Sequence, residues 1–385
     1  MKKKILIIHH HSKFGGSSKS ISEYLKLLKN NFEFELICPH GTAENFFREN
    51  KFKVHGIRGI SNFNITEIGL YKNFRLLILI REFYYLIFTI LIFFNLRKKK
   101  YDLIHLNDSS LIILSPLIKF FFKSKIVCHI RTRLEKKKFF LKPFFIFLIK
   151  NYINKIICID QSTYDTCYVK SKATIIYNIF YPNKIKTKKI NKFNIGFIGT
   201  LDFHKGIDFL FKCIEEINKN NLDIYFLIGG DISVKNNFLS SLLDLMKIKK
   251  NIKKNLFLYK QKLKNVKFVG PVKNLENFYK KLSLIVFPSR MNALGRPVIE
   301  ASHFGIPAVV CLKNKKFKDT LIHGKTGYVT NFGDKKSFVK YLLKLAKDKK
   351  LLNQFKKNSF KLFSNTHNVQ KNLRKIKSVY YQNIK

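Results

Sequence analysis

Leu284–Leu312 reads LIVFPSRMNALGRPVIEASHFGIPAVVCL, and this stretch decides the fold. Leu284-Ile285-Val286-Phe287 is an apolar run of strand length, which Pro288, Ser289 and Asn292 break. Gly295 precedes Arg296-Pro297, and proline suits the first turn of a helix because its missing N–H would be an orphan there anyway. Gly305 stops that helix, Pro307 prevents its return, and Ala308–Leu312 is the next buried strand. Strand, polar loop, short helix, strand is the unit of a parallel α/β sheet. A helix whose N-terminus leaves the carboxyl end of such a sheet is a ready anion site. Arg296 stands at that N-terminus and Glu300 lies one turn in. An arginine for phosphate beside a carboxylate for hydroxyls suits a nucleotide-sugar.

Two upstream segments fit the same architecture. Phe193–Leu210, FNIGFIGTLDFHKGIDFL, reads as a strand ending at Gly199, a loop with Thr200 and Lys205-Gly206, and a helix from Ile207. Asn265–Val272, NVKFVGPV, is a strand and turn before a helical Leu275–Tyr279. Nearer the N-terminus, Lys4–Ile8 is a strand, His9–Ser18 a polar loop carrying Gly15 and Gly16, Ile21–Leu28 an amphipathic helix and Phe32–Cys38 a second strand. Glycines between a first strand and helix allow close backbone approach to a ligand. The spacing G-x-G-x-x-G is incomplete, which disfavours a nicotinamide dehydrogenase. Asp102–Asn107, Lys125–Arg131 and Lys155–Asp160 are further strands ending in polar residues. His9, His10 and His11 invite a metal reading, but consecutive side chains diverge and no carboxylate or cysteine partner is evident, so no metal is expected.

On these residues the chain resembles the retaining glycosyltransferases of the GT-B fold, of the family-4 type. The family's donor signature runs roughly E-x-F-G-x-x-x-x-E-A; Glu300-Ala301 matches its second carboxylate and Gly295 its glycine, while Asn292 replaces the first carboxylate. The loop 199–206 resembles the family's G-R-L-x-x-x-K-G, with Lys205 in place and Thr200 at the arginine position. The resemblance implies that Lys205 holds the donor diphosphate with Gly199 and Thr200 beside it, and that Arg296 supplies the missing charge. It further implies that Val272 lines the nucleotide base, that Asn292 contacts the sugar, that Glu300 holds the ribose hydroxyls, and that Gly15-Gly16 face the donor phosphates. A family histidine after the central N-terminal strand lies near the reacting sugar, and His129 best fits that place, with Arg131 beside it. Tyr177-Asn178 is similar to the turn that closes the family's first domain, and Gly324–Tyr328 to a turn after the signature.

Length and composition agree. A chain of 385 residues with 46% hydrophobic content suits two α/β domains. The six scattered cysteines, without C-x-x-C, point to a reducing cytosol with neither disulfides nor a zinc site. Lys2–Lys4 lead straight into a strand, so no signal peptide is expected. The 74 Lys and Arg against 24 Asp and Glu give a net charge of +50, which favours anionic surfaces. Recognition motifs for specific nucleic-acid binding are missing from the sequence, whereas Phe74–Leu96 and Phe139–Ile149 are apolar and flanked by basic residues. Arg81-Glu82 interrupts the first, and the apolar piece Phe83–Leu96 beyond it is short of the about 20 residues a membrane span needs. Both read as interfacial or buried helices. Ser337–Ser364 reads as amphipathic helix.

The expected architecture is α/β: a GT-B pair of Rossmann-like domains facing each other across a cleft. Residues 1–180 would bind the acceptor, 193–365 the nucleotide-sugar donor, and 366–385 would form a helix crossing back to the first domain. The expected activity is metal-independent, retaining transfer of a sugar from a nucleoside-diphosphate donor to a lipid-linked or saccharide acceptor in surface-glycan synthesis. His129, Lys205, Arg296 and Glu300 would do the chemistry. No cofactor besides the nucleotide-sugar substrate is expected, and the place of work is the cytoplasm, peripheral on the inner face of an anionic membrane. The alternatives are an inactive GT-B scaffold at the membrane and a basic, nonspecific nucleic-acid binder.

Overall fold

A computed structural model describes residues 2–67, 77–135, 140–180, 192–220, 222–231, 259, 261–272, 274–291, 294–312 and 319–384. The chain divides into two compact units, Met1–Tyr181 with His367–Lys385, and Pro182–Thr366.

The first unit contains β1 (Lys3–Ile8), α1 (Gly16–Leu28), β2 (Phe32–Pro39), α2 (Thr42–Glu49), β3 (Lys53–Ile57), α3 (Leu77–Leu96), β4 (Leu103–Leu106), α4 (Ser115–Phe122), β5 (Lys125–Ile130), α5 (Lys142–Tyr152), β6 (Lys155–Cys158), α6 (Gln161–Thr166) and β7 (Ala173–Ile175). Its seven strands lie parallel in the order β3-β2-β1-β4-β5-β6-β7. The continuous apolar run Ile5–Ile8 follows from burial on both faces. Ile5 and Ile7 pack with Leu25 of α1, while Leu6 and Ile8 join Phe93 of α3, Ile118 of α4 and Phe145 of α5.

The second unit contains β8 (Phe193–Ile198), α7 (Ile207–Asn218), β9 (Ile224–Gly229), β10 (Val266–Gly270), α8 (Leu275–Tyr279), β11 (Leu284–Phe287), α9 (Arg296–His303), β12 (Ala308–Cys311), β13 (Gly327–Thr330), α10 (Lys335–Lys347) and α11 (Lys349–Thr366). Its six parallel strands run β10-β9-β8-β11-β12-β13. Leu284 and Val286 face Leu210 of α7 and Leu342 of α10; Ile285 and Phe287 face Val298 and Ala301 of α9. The last helix, α12 (Val369–Gln382), belongs to the first unit, where Ile376 and Tyr380 are fully buried beside Ile5 and Ile7.

Two local expectations change. Ser337–Ser364 is broken at Asp348, whose Oδ1 accepts the Leu351 N–H at 2.8 Å and caps a new helix. Arg81-Glu82 does not interrupt α3, because Glu82 turns inward and its Oε2 accepts the Asn62 backbone N–H at 2.9 Å. All six cysteines are buried thiols.

Candidate active site

In each sheet the strand order reverses once, between β1 and β4 and between β8 and β11. Loops leaving the carboxyl ends of the strands on either side of such a point diverge and leave a crevice, the usual ligand site of an open α/β sheet. In the second unit these are the loop after β8, with Gly199, Thr200 and Lys205, and the loop after β11, with Gly295 and Arg296.

Backbone contact locks these two loops together. Gly206 has φ +74°, and a Cβ built on it would lie 1.8 Å from the Pro288 carbonyl oxygen, so only glycine fits. Arg290 adds a clamp. Its Nη1 and Nη2 each donate to one Asp208 carboxylate oxygen at 2.7 Å, and Nη1 also donates to the Phe203 carbonyl. Its guanidinium lies 3.4 Å from the ring centroid of Phe203 and 4.2 Å from that of Phe332. The Arg290 N–H donates to the His204 carbonyl at 3.0 Å.

The Phe287 ring joins the two candidate phosphate groups. Lys205 Nζ lies 5.4 Å from its centroid, and a Cβ on Gly295, the residue preceding α9, would meet the same ring at 2.6 Å. Lys205 and the N-terminus of α9 therefore converge on one ring. Burial lowers the Lys205 pKa, with Asp202 opposing from nearby. Asp202 accepts the Lys205 backbone N–H at 2.8 Å and so shapes the turn instead of pairing with the ammonium.

One turn into α9, Glu300 is buried. Its Oε1 accepts from Arg296 Nε at 3.0 Å and its Oε2 from the Tyr279 hydroxyl at 2.8 Å. Arg296 and Glu300, assigned by sequence to phosphate and ribose separately, thus touch each other. Val272 packs its side chain over Gly229, where a Cβ would meet Cγ2 at 2.6 Å. Gly230 (φ +128°) leaves no room for a Cβ, which would lie 1.8 Å from the Gly199 carbonyl oxygen. Asn292 lies outside the described residues.

In the first unit, Gly15 precedes α1 with nothing within 4 Å of a Cβ position, and Gly16 opens the helix. His129 sits differently from the sequence expectation. Its side chain is fully buried in β5, stacked on His105 at 5.3 Å between centroids, with Nδ1 3.3 Å from His105 Nε2. His105 Nδ1 in turn lies 2.7 Å from the Tyr380 hydroxyl of α12. His9 is equally buried, bridging Ser18 and Asn107, whereas the His10 and His11 rings lie tilted against each other, 3.8 Å between centroids, further along the loop. Arg131 Nη2 donates to Asn107 Oδ1 at 2.6 Å, tying β5 to β4. Burial, with neighbouring positive charge, holds His9 and His129 well below the usual imidazole range; burial likewise takes His10 and His105 to about 3. These four rings are neutral hydrogen-bonding groups. Among the described residues no group of three or more His, Cys, Asp or Glu could hold a metal ion.

The sequence reading missed Arg290, Asp208, Phe287 and Tyr279. Arg290 and Asp208 lie far apart in sequence, and no local signal links them.

The model of the family "Glycosyl transferases group 1" matches residues 182–362, which is nearly the whole second unit. The chain superposes on the Anabaena protein HepE, solved in complex with UDP-glucose, with a TM-score of 0.75, 17% identity and coverage of 98% of this chain and 99% of that one. The chain has the GT-B fold, and its second unit matches the glycosyl transferase group 1 family. In sequence, the chain is 24% identical to an Escherichia coli UDP-Gal:alpha-D-GlcNAc-diphosphoundecaprenol alpha-1,3-galactosyltransferase, over 94% of this chain and 92% of that protein. It is 24% identical to the Staphylococcus aureus capsular polysaccharide glycosyltransferase CapM over 49% of this chain, and there it spans 46% of the relative's length.

Proposed function

We propose that this chain is a glycosyltransferase that moves a sugar from a nucleoside-diphosphate donor, with UDP as the nucleotide, to a lipid-linked saccharide during bacterial surface-glycan synthesis. The observation that carries the donor reading is the convergence of Lys205 and the α9 N-terminus on Phe287 at the point where the strand order reverses. A half-buried ammonium beside helix N–H groups without a side-chain cap favours an anion, and a departing diphosphate is the anion this chemistry needs. The relatives supply the rest of the reading: one solved with UDP-glucose, one named for a UDP-galactose donor and a diphosphoundecaprenol acceptor.

In this reading Lys205 and the amides of α9 neutralise the leaving diphosphate. Arg296, paired with Glu300, adds positive charge at the start of α9. Glu300 accepts the ribose hydroxyls as a charge-assisted acceptor. Gly199, Thr200 and the backbone around Val272 line the nucleotide, and Asn292 orients the sugar. The first unit supplies the acceptor side, with Gly15, Gly16, His10 and His11 at its crevice. His129 acts from the interior by positioning His105 and Arg131. Transfer proceeds with retention at the anomeric carbon, without metal or cofactor. The chain works in the cytoplasm on the inner face of the membrane, where a lipid-linked acceptor is presented.

The test is a thermal-shift titration with UDP, GDP, ADP and CMP, repeated with Glu300→Ala. A folded-state ligand raises apparent stability by mass action. A rise for UDP that the variant loses is the expected result, followed by UDP release from a UDP-hexose. No rise for any nucleotide with the soluble, folded chain overturns the donor reading.

A further inference from the structure

Helix α3 is apolar on its outer face as well as its inner one, where Phe93 and Leu96 join the core. A soluble surface helix turns its apolar stripe inward. In α3 two polar side chains point in: Thr89 is fully buried and its Oγ1 accepts the Ser61 N–H at 3.0 Å, and Glu82 holds Asn62. The outward stripe is Ile80, Phe83, Ile87, Leu91 and Phe94, recurring every three or four residues, with Phe83 70% and Ile80 68% exposed. The neighbouring helices extend this face. Phe93 of α3 packs edge-on against Phe121 and Phe122 of α4, and α4 packs against α5. Phe120 of α4 is 76% exposed, and Phe140 and Phe147 on and before α5 are also exposed. A contiguous apolar patch of this kind marks an interaction surface.

Charge identifies what covers it. Across α3, α4 and α5 the one carboxylate is Glu82, turned inward, while Arg81, Lys150 and, just beyond the helices, Arg97, Lys98, Lys100 and Lys123 are exposed. The Arg97 guanidinium lies 3.2 Å from the Phe94 ring centroid, its stem along the apolar face and its head at the rim. A second copy of a chain with net charge +50 would bring like rims together, whereas an anionic bilayer complements both the apolar face and the rim. Ile78–Leu96 is long and apolar enough to cross a membrane. Arg81 and Arg97, however, bracket about 24 Å of helix, less than the ~30 Å hydrocarbon core, and crossing would strip Ser61 and Asn62 of their partners.

We propose that the outer face of α3, continued by Phe120 and Phe147, seats this chain in the plane of an anionic bilayer surface. The inference deepens the membrane-acceptor reading above and rests on it, but not on the donor site.

The test is co-sedimentation of the full chain with phosphatidylcholine vesicles and with vesicles containing phosphatidylglycerol. The comparison is a double variant, Phe83→Gln with Ile87→Gln, which keeps the charge and alters exposed positions. The expected result is sedimentation with the anionic vesicles, reduced ~10-fold or more in the variant, with an unchanged melting curve and an unchanged response to UDP. Equal binding by both chains overturns the proposal, since bulk charge would then suffice; so does no binding. Resistance to alkaline extraction from cell membranes would make α3 a span, and a dimer dissociated by the variant would make the face a self-interface; both also overturn it. Loss of the UDP response in both chains would sink the donor reading alone.

Discussion

Arg290→Lys keeps the charge and removes the fork, and the structure sets the size of the effect. The native guanidinium makes two charge-assisted bonds to Asp208, one to the Phe203 carbonyl, and stacks between Phe203 and Phe332. A lysine retains one bond to Asp208. The second carboxylate bond contributes about 1.5 kcal/mol and the carbonyl bond about 1 kcal/mol. Loss of planar stacking adds about 0.5 kcal/mol, because an ammonium on a flexible stem cannot fill the slot between two rings. These are lower-end to central values, as suits a partly exposed pair, and the sum is about 3 kcal/mol. For a unit of this size that lowers the melting temperature by about 6–10 °C. Because Arg290 joins the loop of Lys205 to the loop that leads to α9, the variant should also bind UDP about tenfold more weakly through lost preorganisation. Differential scanning calorimetry with and without UDP reads both quantities. A shift under about 2 °C, or normal UDP affinity in a chain that melts early, would refute the clamp.

Glu300→Gln removes the charge facing Arg296 and one acceptor for Tyr279; UDP affinity should fall by about 1.5–3 kcal/mol by isothermal titration, whereas Tyr279→Phe should cost about 1 kcal/mol of stability and leave UDP binding within threefold. Gly206→Ala drives a Cβ into the Pro288 carbonyl at a left-handed φ, a loss of about 2–4 kcal/mol in urea unfolding, while Gly15→Ala, with open space around it, should lose less than about 1 kcal/mol. His9, His10, His105 and His129 have folded pKa values depressed by burial. Their contribution is complete above the unfolded value near 6.5 and is lost as pH falls below it, at about 1.4 kcal/mol per histidine per pH unit. The first unit should therefore unfold in mild acid, and His105→Gln with His129→Gln should flatten that dependence between pH 6.5 and 5; parallel curves for both chains would show that these rings are not held neutral.

The donor half was legible because its chemistry is local. Gly295-Arg296-Pro297 starts α9 where the sequence places it, and Gly305 ends it with φ +66°. Strand identity followed from short apolar runs, and parallel pairing from their alternation with helices. What was not legible depends on distant partners. His129 reads as a strand-end histidine, and only the return of α12, bringing Tyr380 onto His105, explains why that face of β5 is interior. Arg81-Glu82 reads as a break in an apolar run until residues 61–62 supply the partner that turns Glu82 inward. Composition alone gives the apolarity of α3 but not the face it presents.

The donor loops hold three cations that look equal in sequence, and their partners separate them. Arg290 commits its charge to Asp208, and Arg296 shares its charge with Glu300. Lys205 is the exception: among the described residues no carboxylate pairs with its ammonium, and burial has already lowered its pKa. Desolvation that Asp202 only partly offsets is a cost the free chain carries and an anionic ligand relieves. Binding a diphosphate therefore restores the Lys205 pKa toward its ordinary value, while it leaves Arg290 as it was. Removal of Lys205 and removal of Arg290 should thus differ in kind. Lys205→Met should raise or preserve the stability of the free chain while abolishing the UDP response, because it deletes a half-buried charge whose desolvation Asp202 only partly offsets. Arg290→Lys lowers the stability of the free chain first and the UDP response only in consequence. A site in which both substitutions behaved alike would have its charge distributed otherwise than these contacts require.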